Sequence, residues 1–289
     1  MQATQDSPTP ADDRPDTASP ESLETAARAA RRARKRAQIR LGFIARNDPA
    51  GPPPPLARMI RGGRGGKVRL KLLLTYLWMQ TDDRGVTLAR PAQLWARLLD
   101  LEQPETAGAR RITEAQQWLV KNNFIKIKSN PGHANAVTVL NETADGTPWV
   151  APGAAAKALS NTTEAAKHYY AQIPATLWTN GYIQLLSGAG LSMFLILLER
   201  YALTRAPEPP PVWMSPKYFK DSFALSQDTR AAGMKELEDF NLVTIERKPV
   251  DPQDFDLERF RNVYTLHLSQ LDQPADRNAL FSIFNTLTK

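Results

Sequence analysis

Apolar residues recur along this chain in two similar series, and each series predicts the same order of elements. In the first series, leucines fill nearly every inward position of residues 68–79, which predicts a buried helix. A stripe at Ile112, Ala115 and Leu119 marks a later amphipathic helix, and alternating apolar and polar residues then indicate a hairpin. The predicted elements are a helix at 68–79, a short strand at 86–88, helices at 91–99 and 106–122, and strands at 124–128 and 136–140.

The second series repeats this order nearer the C-terminus. It begins with a long apolar helix for which Ser187 is a plausible cap, and serines precede its two later helices. The predicted elements are a helix at 186–203, a short strand at 212–214, helices starting at Ser215 and Ser226, and strands at 242–248 and 262–268. Together the two series predict a mainly α-helical (α+β) fold with small β-hairpins, built from two tandem units.

The stretches outside the two series complete the predicted domain organisation. Residues 1–20 bury little and are expected to be disordered, residues 22–36 predict a marginal helix, and prolines at 47–55 interrupt regular structure. An amphipathic helix near the C-terminus packs on the second domain or mediates a homodimer. The predicted boundaries are a disordered basic arm at 1–55, a first domain at 56–141, a linker at 142–168, a second domain at 169–271 and a C-terminal helix at 272–289.

Composition excludes several classes of function. The 289 residues include no cysteine, which excludes disulfides and thiolate zinc sites, and the three histidines lie far apart, so we expect no metal, no cofactor and no catalysis. The most apolar stretch, 191–203, is interrupted by Glu199 and Arg200 and is too short to span a bilayer. We therefore expect a soluble cytoplasmic protein with no membrane partner.

Charge is distributed unevenly, which suggests a polyanionic partner. Of a net charge of +7, residues 1–71 carry +8, with 15 basic and 7 acidic residues, and the remainder carries −1. A positive segment gains affinity for nucleic acid by releasing the counterions that surround phosphates. Charge alone leaves DNA, RNA and acidic membrane open. The sequence Arg61-Gly-Gly-Arg-Gly-Gly-Lys67 lacks the first glycine and the hydroxyl residue of a P-loop, and is better explained as a flexible basic lead-in.

The element order predicts a helix-turn-helix in each unit, whose second helix would enter the major groove of double-stranded DNA. The expected base-contacting residues are Arg110, Arg111, Thr113 and Gln117 in the first unit, and Gln227, Thr229 and Arg230 in the second. The expected phosphate-contacting residues are Thr106, Lys121, Lys126, Lys128 and Ser226, with Arg31, Arg32, Arg34, Lys35, Arg36, Arg61, Arg64 and Lys67 in the arm and lead-in. Ser226 is equally well explained as a helix cap.

The two predicted hairpins differ in charge. The first carries Lys126, Lys128 and His133, which suit a phosphate backbone. The second mixes basic residues with four carboxylates, which would weaken DNA binding. Those carboxylates are Asp251, Asp254, Asp256 and Glu258. We therefore expect the first domain to be the main source of sequence specificity, and the second domain to contact DNA or protein.

Two segments of the sequence, each a predicted helix followed by a strand, resemble those of a known family. They are Arg110-Arg-Ile-Thr-Glu-Ala-Gln-Gln-Trp-Leu followed by Asn123-Phe-Ile-Lys-Ile-Lys, and Thr229-Arg-Ala-Ala-Gly-Met-Lys-Glu-Leu-Glu-Asp-Phe-Asn-Leu-Val. Over about residues 56–270, the architecture resembles plasmid replication initiators, which consist of two winged helices in tandem. This resemblance implies binding to repeated origin sites as a monomer or dimer, without catalysis. A winged-helix transcriptional regulator and a protein-interaction adaptor remain alternatives.

Overall fold

The two predicted series fold into two units with the same order of elements. The computed structural model describes residues 15–46, 48–61, 65–80, 85–87, 89–130, 132–204, 210–250 and 260–277. In these ranges the helices are α1 (Pro20–Ala30), α2 (Leu41–Ile44), α3 (Pro55–Ile60), α4 (Gly66–Trp78), α5 (Ala92–Leu98), α6 (Ala107–Lys121), α7 (Pro152–Ala158), α8 (Thr176–Thr179), α9 (Tyr182–Leu185), α10 (Gly188–Thr204), α11 (Pro216–Phe223) and α12 (Gln227–Asp239). The strands are β1 (Arg36–Arg40), β2 (Ile125–Lys128), β3 (Ala136–Val139), β4 (Tyr170–Pro174), β5 (Val243–Pro249) and β6 (Phe260–Leu266).

Each unit consists of a buried helix, two further helices and an antiparallel hairpin. These are α4, α5, α6 and β2–β3 in the first unit, and α10, α11, α12 and β5–β6 in the second. A single bridge adds a third segment to each hairpin, Val86 to Thr138 in the first unit and Val212 to Tyr264 in the second. The predicted mixed α and β character is confirmed.

Matching turns show that the repetition extends to backbone geometry. Asp100 and Ala224 follow the equivalent helices α5 and α11, with φ angles of 53° and 52°. Asn123 and Asn241 follow α6 and α12, with φ angles of 62° and 57°. A positive φ is uncommon outside glycine, although asparagine and aspartate tolerate it better than most residues. Two pairs of such residues at corresponding places therefore establish a common frame for comparing the units.

The segment predicted as a disordered arm is folded between residues 20 and 46, so that prediction was wrong there. Helix α1 begins after Ser19, whose hydroxyl oxygen accepts the Ser22 N–H at 3.2 Å and donates to Asp100 Oδ1 at 2.5 Å. The helix packs against α5 and α8 through a face that contains the fully buried Ala26. Alanine allows this close approach at little cost in side-chain entropy, so a helix without a broad apolar stripe is still ordered by its neighbours.

Strand β1 anchors this N-terminal segment to the beginning of the second unit. It pairs with β4 in antiparallel register, with Gln38 opposite Gln172 at the centre. Ala37 and Ile39 are fully buried beneath the pair. Strands β1 and β4 also precede the two units at corresponding places, because β1 packs on α4 and β4 packs on α10.

The stretch 142–168 was predicted to be a linker, but it is folded and carries a buried ion pair. It contains α7 and a 3-10 helix at Thr163–His168. Glu142, which is 0% exposed, accepts the Arg40 backbone N–H and Nη1, both at 2.8 Å. Arg40 Nη2 also donates to the Val150 carbonyl at 2.7 Å. Since removing one partner of a buried pair typically costs about 3–5 kcal/mol, this contact firmly anchors the segment to β1.

The two units share one apolar core. Trp78 at the end of α4 stacks on Trp178 of α8, with ring centroids 4.7 Å apart, and Trp178 Nε1 donates to Thr75 Oγ1 at 3.0 Å. The fully buried Lys71 donates to the Gln184 carbonyl at 2.6 Å. These contacts fix the first unit against the lead-in of the second.

Few residues beyond β6 are described. A 3-10 helix at Leu268–Asp272 follows the strand, and the predicted C-terminal helix, with its possible role in a homodimer, lies mostly outside the described residues. Within the described part of the chain, no helix is long and apolar enough to cross a membrane.

Candidate nucleic-acid interface

Helix α6 presents a polar stripe to solvent. Its opposite face, at Ile112, Ala115 and Leu119, is buried against the core. Residues spaced alternately by three and four lie on one side of a helix. The stripe consists of Thr106, Arg110, Thr113 and Gln117. These residues are spaced by four, three and four positions, and all of them are exposed.

Arg110 is the most accessible cation of this stripe. Its side chain is 82% exposed and forms only an i,i+4 ion pair with Glu114 at 2.9 Å. An exposed pair of this kind contributes about 0.3–0.5 kcal/mol, so a phosphate or a guanine edge would readily displace it. Arg111 is also exposed but lies at the flank of α6, where it lines a cleft with Lys67 and Asp100. The structure therefore separates the two arginines that the sequence analysis grouped together.

Lysines extend the basic surface from α6 onto the hairpin. Lys121 ends the helix, and Lys126 and Lys128 are exposed on β2, alternating with Ile125 and Ile127. The sequence contains no aspartate or glutamate from residue 115 to residue 140. The positive charge of this strip is therefore not offset by any neighbouring residue in that stretch.

The shared turns give a residue-by-residue register between α6 and α12. Asn123 corresponds to Asn241, since both have positive φ, and the hydrogen bonds around them match. The Phe124 N–H donates to the Leu119 carbonyl at 2.9 Å, and the Leu242 N–H donates to the Leu237 carbonyl at the same distance. Each position in α6 therefore corresponds to the position 118 residues later in α12.

This register shows that three basic residues of the first unit are replaced by acidic residues in the second. The three reversed pairs are Arg110 and Asp228, Lys121 and Asp239, and, on the hairpins, Lys128 and Glu246. Gln117, in the middle of the α6 stripe, instead corresponds to the basic Lys235, whose ammonium pairs with Asp239 at 3.0 Å.

Arg230 is not placed as a base-contacting residue, contrary to the prediction. In the common register it corresponds to the buried Ile112, so its side chain points towards the domain. Its Nη2 donates to the Met214 carbonyl and to the Tyr264 hydroxyl, each at 3.0 Å, and its guanidinium lies 5.0 Å from the Phe219 ring centre. Arg230 therefore joins α12 to the segment before α11 and to β6.

Ser226 and Thr229 form a local capping arrangement. The Ser226 hydroxyl oxygen accepts the Thr229 N–H at 3.1 Å, and the two hydroxyl oxygens lie 2.9 Å apart. This geometry is that of an N-cap, the structural alternative for Ser226. Of the second-unit residues predicted to contact DNA bases, only Gln227 is fully exposed.

The basic sequence before β1 forms an ordered turn. Arg31, Arg32 and Lys35 are exposed there, while the Arg34 guanidinium lies 5.5 Å from the Trp149 ring centre. The Arg34 carbonyl accepts Trp78 Nε1 at 2.9 Å. Arg36 is exposed and donates to Gln172 at 2.9 Å. The exposed cations of this turn therefore project from ordered backbone.

Part of the glycine-rich lead-in, residues 61–67, makes contacts within the protein. Arg61 donates to the Ala224 carbonyl at the end of α11, so it connects the two units. Lys67 is half-buried beside Lys71 and the cleft that Arg111 lines. Arg64 lies outside the described residues, as do the second-hairpin carboxylates between 251 and 258.

An apolar groove on the second unit was not foreseen from the sequence. It lies between α12 and the β5–β6 hairpin and includes three large side chains that are 44–49% exposed, namely Trp213, Val250 and Phe260. The Arg261 guanidinium covers one side of Trp213, 4.9 Å from the ring centre. Only the pairing of strands brings these residues together, so no local sequence pattern could identify them.

Within the described ranges, no group of three or more histidine or carboxylate side chains is arranged to hold a metal ion. Comparison with protein-family models, with curated proteins and with solved structures gives no match for this chain.

Proposed function

We propose that this chain binds double-stranded DNA without catalysis, and that its first unit supplies the sequence specificity. Each unit would be a winged helix, with α6 as the helix that enters the major groove. The exposed stripe of α6 carries this proposal. Its Arg110 and Gln117 have the side chains that pair bidentately with guanine and adenine edges, and Thr113 can contact a thymine methyl group.

Phosphate contacts would come from two basic surfaces around the recognition helix. One is the strip formed by Lys121, Lys126 and Lys128, and the other is the turn that exposes Arg31, Arg32 and Lys35. Contacts to phosphates fix the orientation of a protein on the duplex but carry no direct sequence information. They also make binding steeply dependent on salt, because each neutralised phosphate releases counterions.

The biological role we favour is that of an origin-binding replication initiator of a plasmid or another mobile element. This part of the proposal rests on the architecture of two consecutive helix–helix–hairpin units. The alternative is a transcriptional regulator with the same two units. Footprinting on DNA adjacent to the gene separates them, because iterated protected repeats support an initiator and a single protected promoter palindrome supports a regulator.

Substitution of Arg110 tests the DNA-binding proposal directly. A duplex site is first selected by the full chain from a random library. Arg110→Ala is expected to weaken binding to that site by about tenfold to a hundredfold, the usual effect of losing a bidentate base contact. Binding to random duplexes should fall much less. Fluorescence anisotropy across a salt series measures both affinities.

Lys235→Ala is the matched control, since Lys235 is exposed on α12 and corresponds to Gln117 of the α6 stripe. It should leave both affinities within about twofold of the wild-type values. Equal losses on selected and random DNA in the Arg110 variant would contradict a role in base recognition. No binding at low salt would reject DNA as the partner.

A second candidate function is protein contact through the second unit. The apolar groove beside α12 favours it, because large exposed apolar side chains grouped in one groove are typical of interaction sites. Asp228 and Asp239 of α12, in place of Arg110 and Lys121 of α6, support the same division of roles. If the chain fails to bind DNA, an adaptor built from two winged helices becomes the better explanation.

A further inference from the structure

A cavity of about 590 Å³ lies between the N-terminal segment, the folded stretch that follows β3, and α10 of the second unit. Its walls come from α2, the loop 141–147, the end of the 3-10 helix Thr163–His168, and the last turns of α10. Cavities of this size hold small organic ligands. Leu41 and Leu203 supply apolar wall, while Glu199, Asp145 and His168 supply polar groups.

Glu199 is the unusual member of this lining. The residue is 4% exposed, and among the described residues its Oε2 has no hydrogen-bond partner and lies 4.0 Å from Arg200 Nη1. Burial raises the pKa of this carboxyl group from 4.5 to about 7. A buried carboxylate without donors is costly, so such a group is an exception that calls for a partner.

Two of the cations near the cavity are already neutralised by other carboxylates. Arg40 is held by Glu142, and Lys167 pairs with Glu164 at 2.7 Å. Asp145 accepts hydrogen bonds from neutral groups, among them the Thr143 and Thr147 hydroxyls at 3.0 and 2.6 Å. Arg200, 4.0 Å from Glu199 Oε2, is the remaining described cation beside the cavity, so the charges of Glu199 and Asp145 are only partly compensated.

His168 adds a hydrogen-bond donor rather than a positive charge. Its Nδ1 accepts from Arg40 Nε at 3.2 Å, which leaves the ring proton on Nε2. Burial and the neighbouring Arg40 both lower the pKa of His168, which favours the neutral form of the ring. The cavity thus combines a desolvated carboxylate, neutral polar groups and apolar wall.

We propose that this cavity binds a small organic cation, specifically a primary alkylamine. The ammonium group would pair with Glu199, and the alkyl chain would lie against Leu41 and Leu203. A metal ion is disfavoured, because the described residues offer no group of three ligands at this place. Since α2, the stretch 141–169 and α10 all contribute to the walls, a bound amine would stabilise their arrangement.

Titration of the full chain with putrescine by isothermal calorimetry tests this site, on the alkaline side of the Glu199 pKa so that the carboxylate is ionised. The wild-type chain should bind putrescine and show a raised melting temperature, and 1,4-butanediol, which has a hydroxyl in place of each ammonium group, should do neither. Glu199→Gln should weaken putrescine binding by about tenfold to a hundredfold, as expected for the loss of a charge-assisted bond. The amide replaces a buried unpaired carboxylate and is not expected to impair folding.

Glu24→Gln is the matched control, because this carboxylate is 66% exposed on α1 and lies outside the cavity lining. It should bind putrescine as the wild-type chain does. Equal binding by the Glu199 and Glu24 variants would place the amine elsewhere and overturn the proposal. Absence of binding to the wild-type chain would overturn it as well.

Discussion

The two units of this protein share a backbone but differ in surface charge. Their turns agree within a few degrees of φ at Asp100 and Ala224, and at Asn123 and Asn241. On the exposed side of the equivalent helices, however, basic residues of α6 become acidic residues of α12. Turn geometry is set by steric and hydrogen-bonding constraints that both copies must satisfy, whereas exposed charges contribute little to folding. The repeated fold therefore does not imply a repeated function.

The buried faces of the two helices differ as well. Ala115 of α6 corresponds to Gly233 of α12, where a Cβ would lie 2.5 Å from the Ala189 carbonyl oxygen of α10. Trp118 corresponds to Glu236, which accepts the Ser187 N–H at 3.1 Å. The second unit thus brings its long helix and α12 into closer contact than an alanine would permit. The two units therefore pack equivalent helices with different residues.

Exchanging the charges of the three reversed pairs between the units should have the largest effect on DNA affinity. A triple variant, Arg110→Asp, Lys121→Asp and Lys128→Glu, gives the first unit the residues that stand at the corresponding positions of the second unit. It should bind the selected duplex at least about a hundredfold more weakly, because each lost contact is worth about 1–3 kcal/mol and each new carboxylate repels phosphate. Fluorescence anisotropy at fixed salt gives the affinity, and circular dichroism confirms the fold.

The reciprocal variant carries Asp228→Arg, Asp239→Lys and Glu246→Lys. It should bind random duplexes more tightly through its added positive charge, while a new selection returns the same site as for the wild-type chain. A changed site would show that α12 also recognises bases. In that case the division of roles between the units would be wrong.

Exchanging Gly233 and Ala115 tests the difference in helix packing. Gly233→Ala should lower the free energy of unfolding by about 1–3 kcal/mol, because the added methyl group has no space beside the Ala189 carbonyl. Ala115→Gly should lower it by about 1 kcal/mol through helix propensity. Urea unfolding followed by circular dichroism measures both. A stabilised Gly233 variant would mean that α10 and α12 are not as close as described.

Substitutions in the basic turn should have the smallest effect. Arg31→Ala, Arg32→Ala and Lys35→Ala together should weaken selected and random duplexes by a similar factor, about threefold to tenfold, and reduce the salt dependence. The second unit has no comparable charge before β4, so Lys167→Ala should change neither affinity. A loss confined to the selected site would instead make the turn a specificity element. Point substitutions are required because deletion of residues 1–40 would remove β1.

Local patterns in the sequence predicted most elements inside the units. The leucine-rich α4, the stripe of α6 and the alternation in β2 follow from periodicity, and all three are confirmed. The outward placement of Arg110 follows from the same periodicity. Arg230 was misplaced because the α12 pattern was interpreted without alignment to α6. Aligning the asparagine–apolar pairs Asn123-Phe124 and Asn241-Leu242 would have placed it at the buried Ile112 position.

Interactions between distant parts of the chain were beyond the reach of local patterns. Strand β1 lies in an Arg-rich and Ala-rich segment that suggested a flexible arm, and its partner β4 is 134 residues away at the central pair. The Arg40–Glu142 pair spans 102 residues and buries two residue types that are almost never fully buried unless paired. Composition could not reveal that each of these charges has a partner.

The pairing of β1 with β4 also bears on how the protein is made. During synthesis β1 leaves the ribosome early, but its partner strand emerges only after the whole first unit has been translated. Until then the exposed edge of β1 is open to pairing with other chains. Closing so long a loop is also slow, which delays the packing of the paired β1 on α4. The unit that we propose to bind DNA therefore gains this support only when the strand that leads into the second unit arrives.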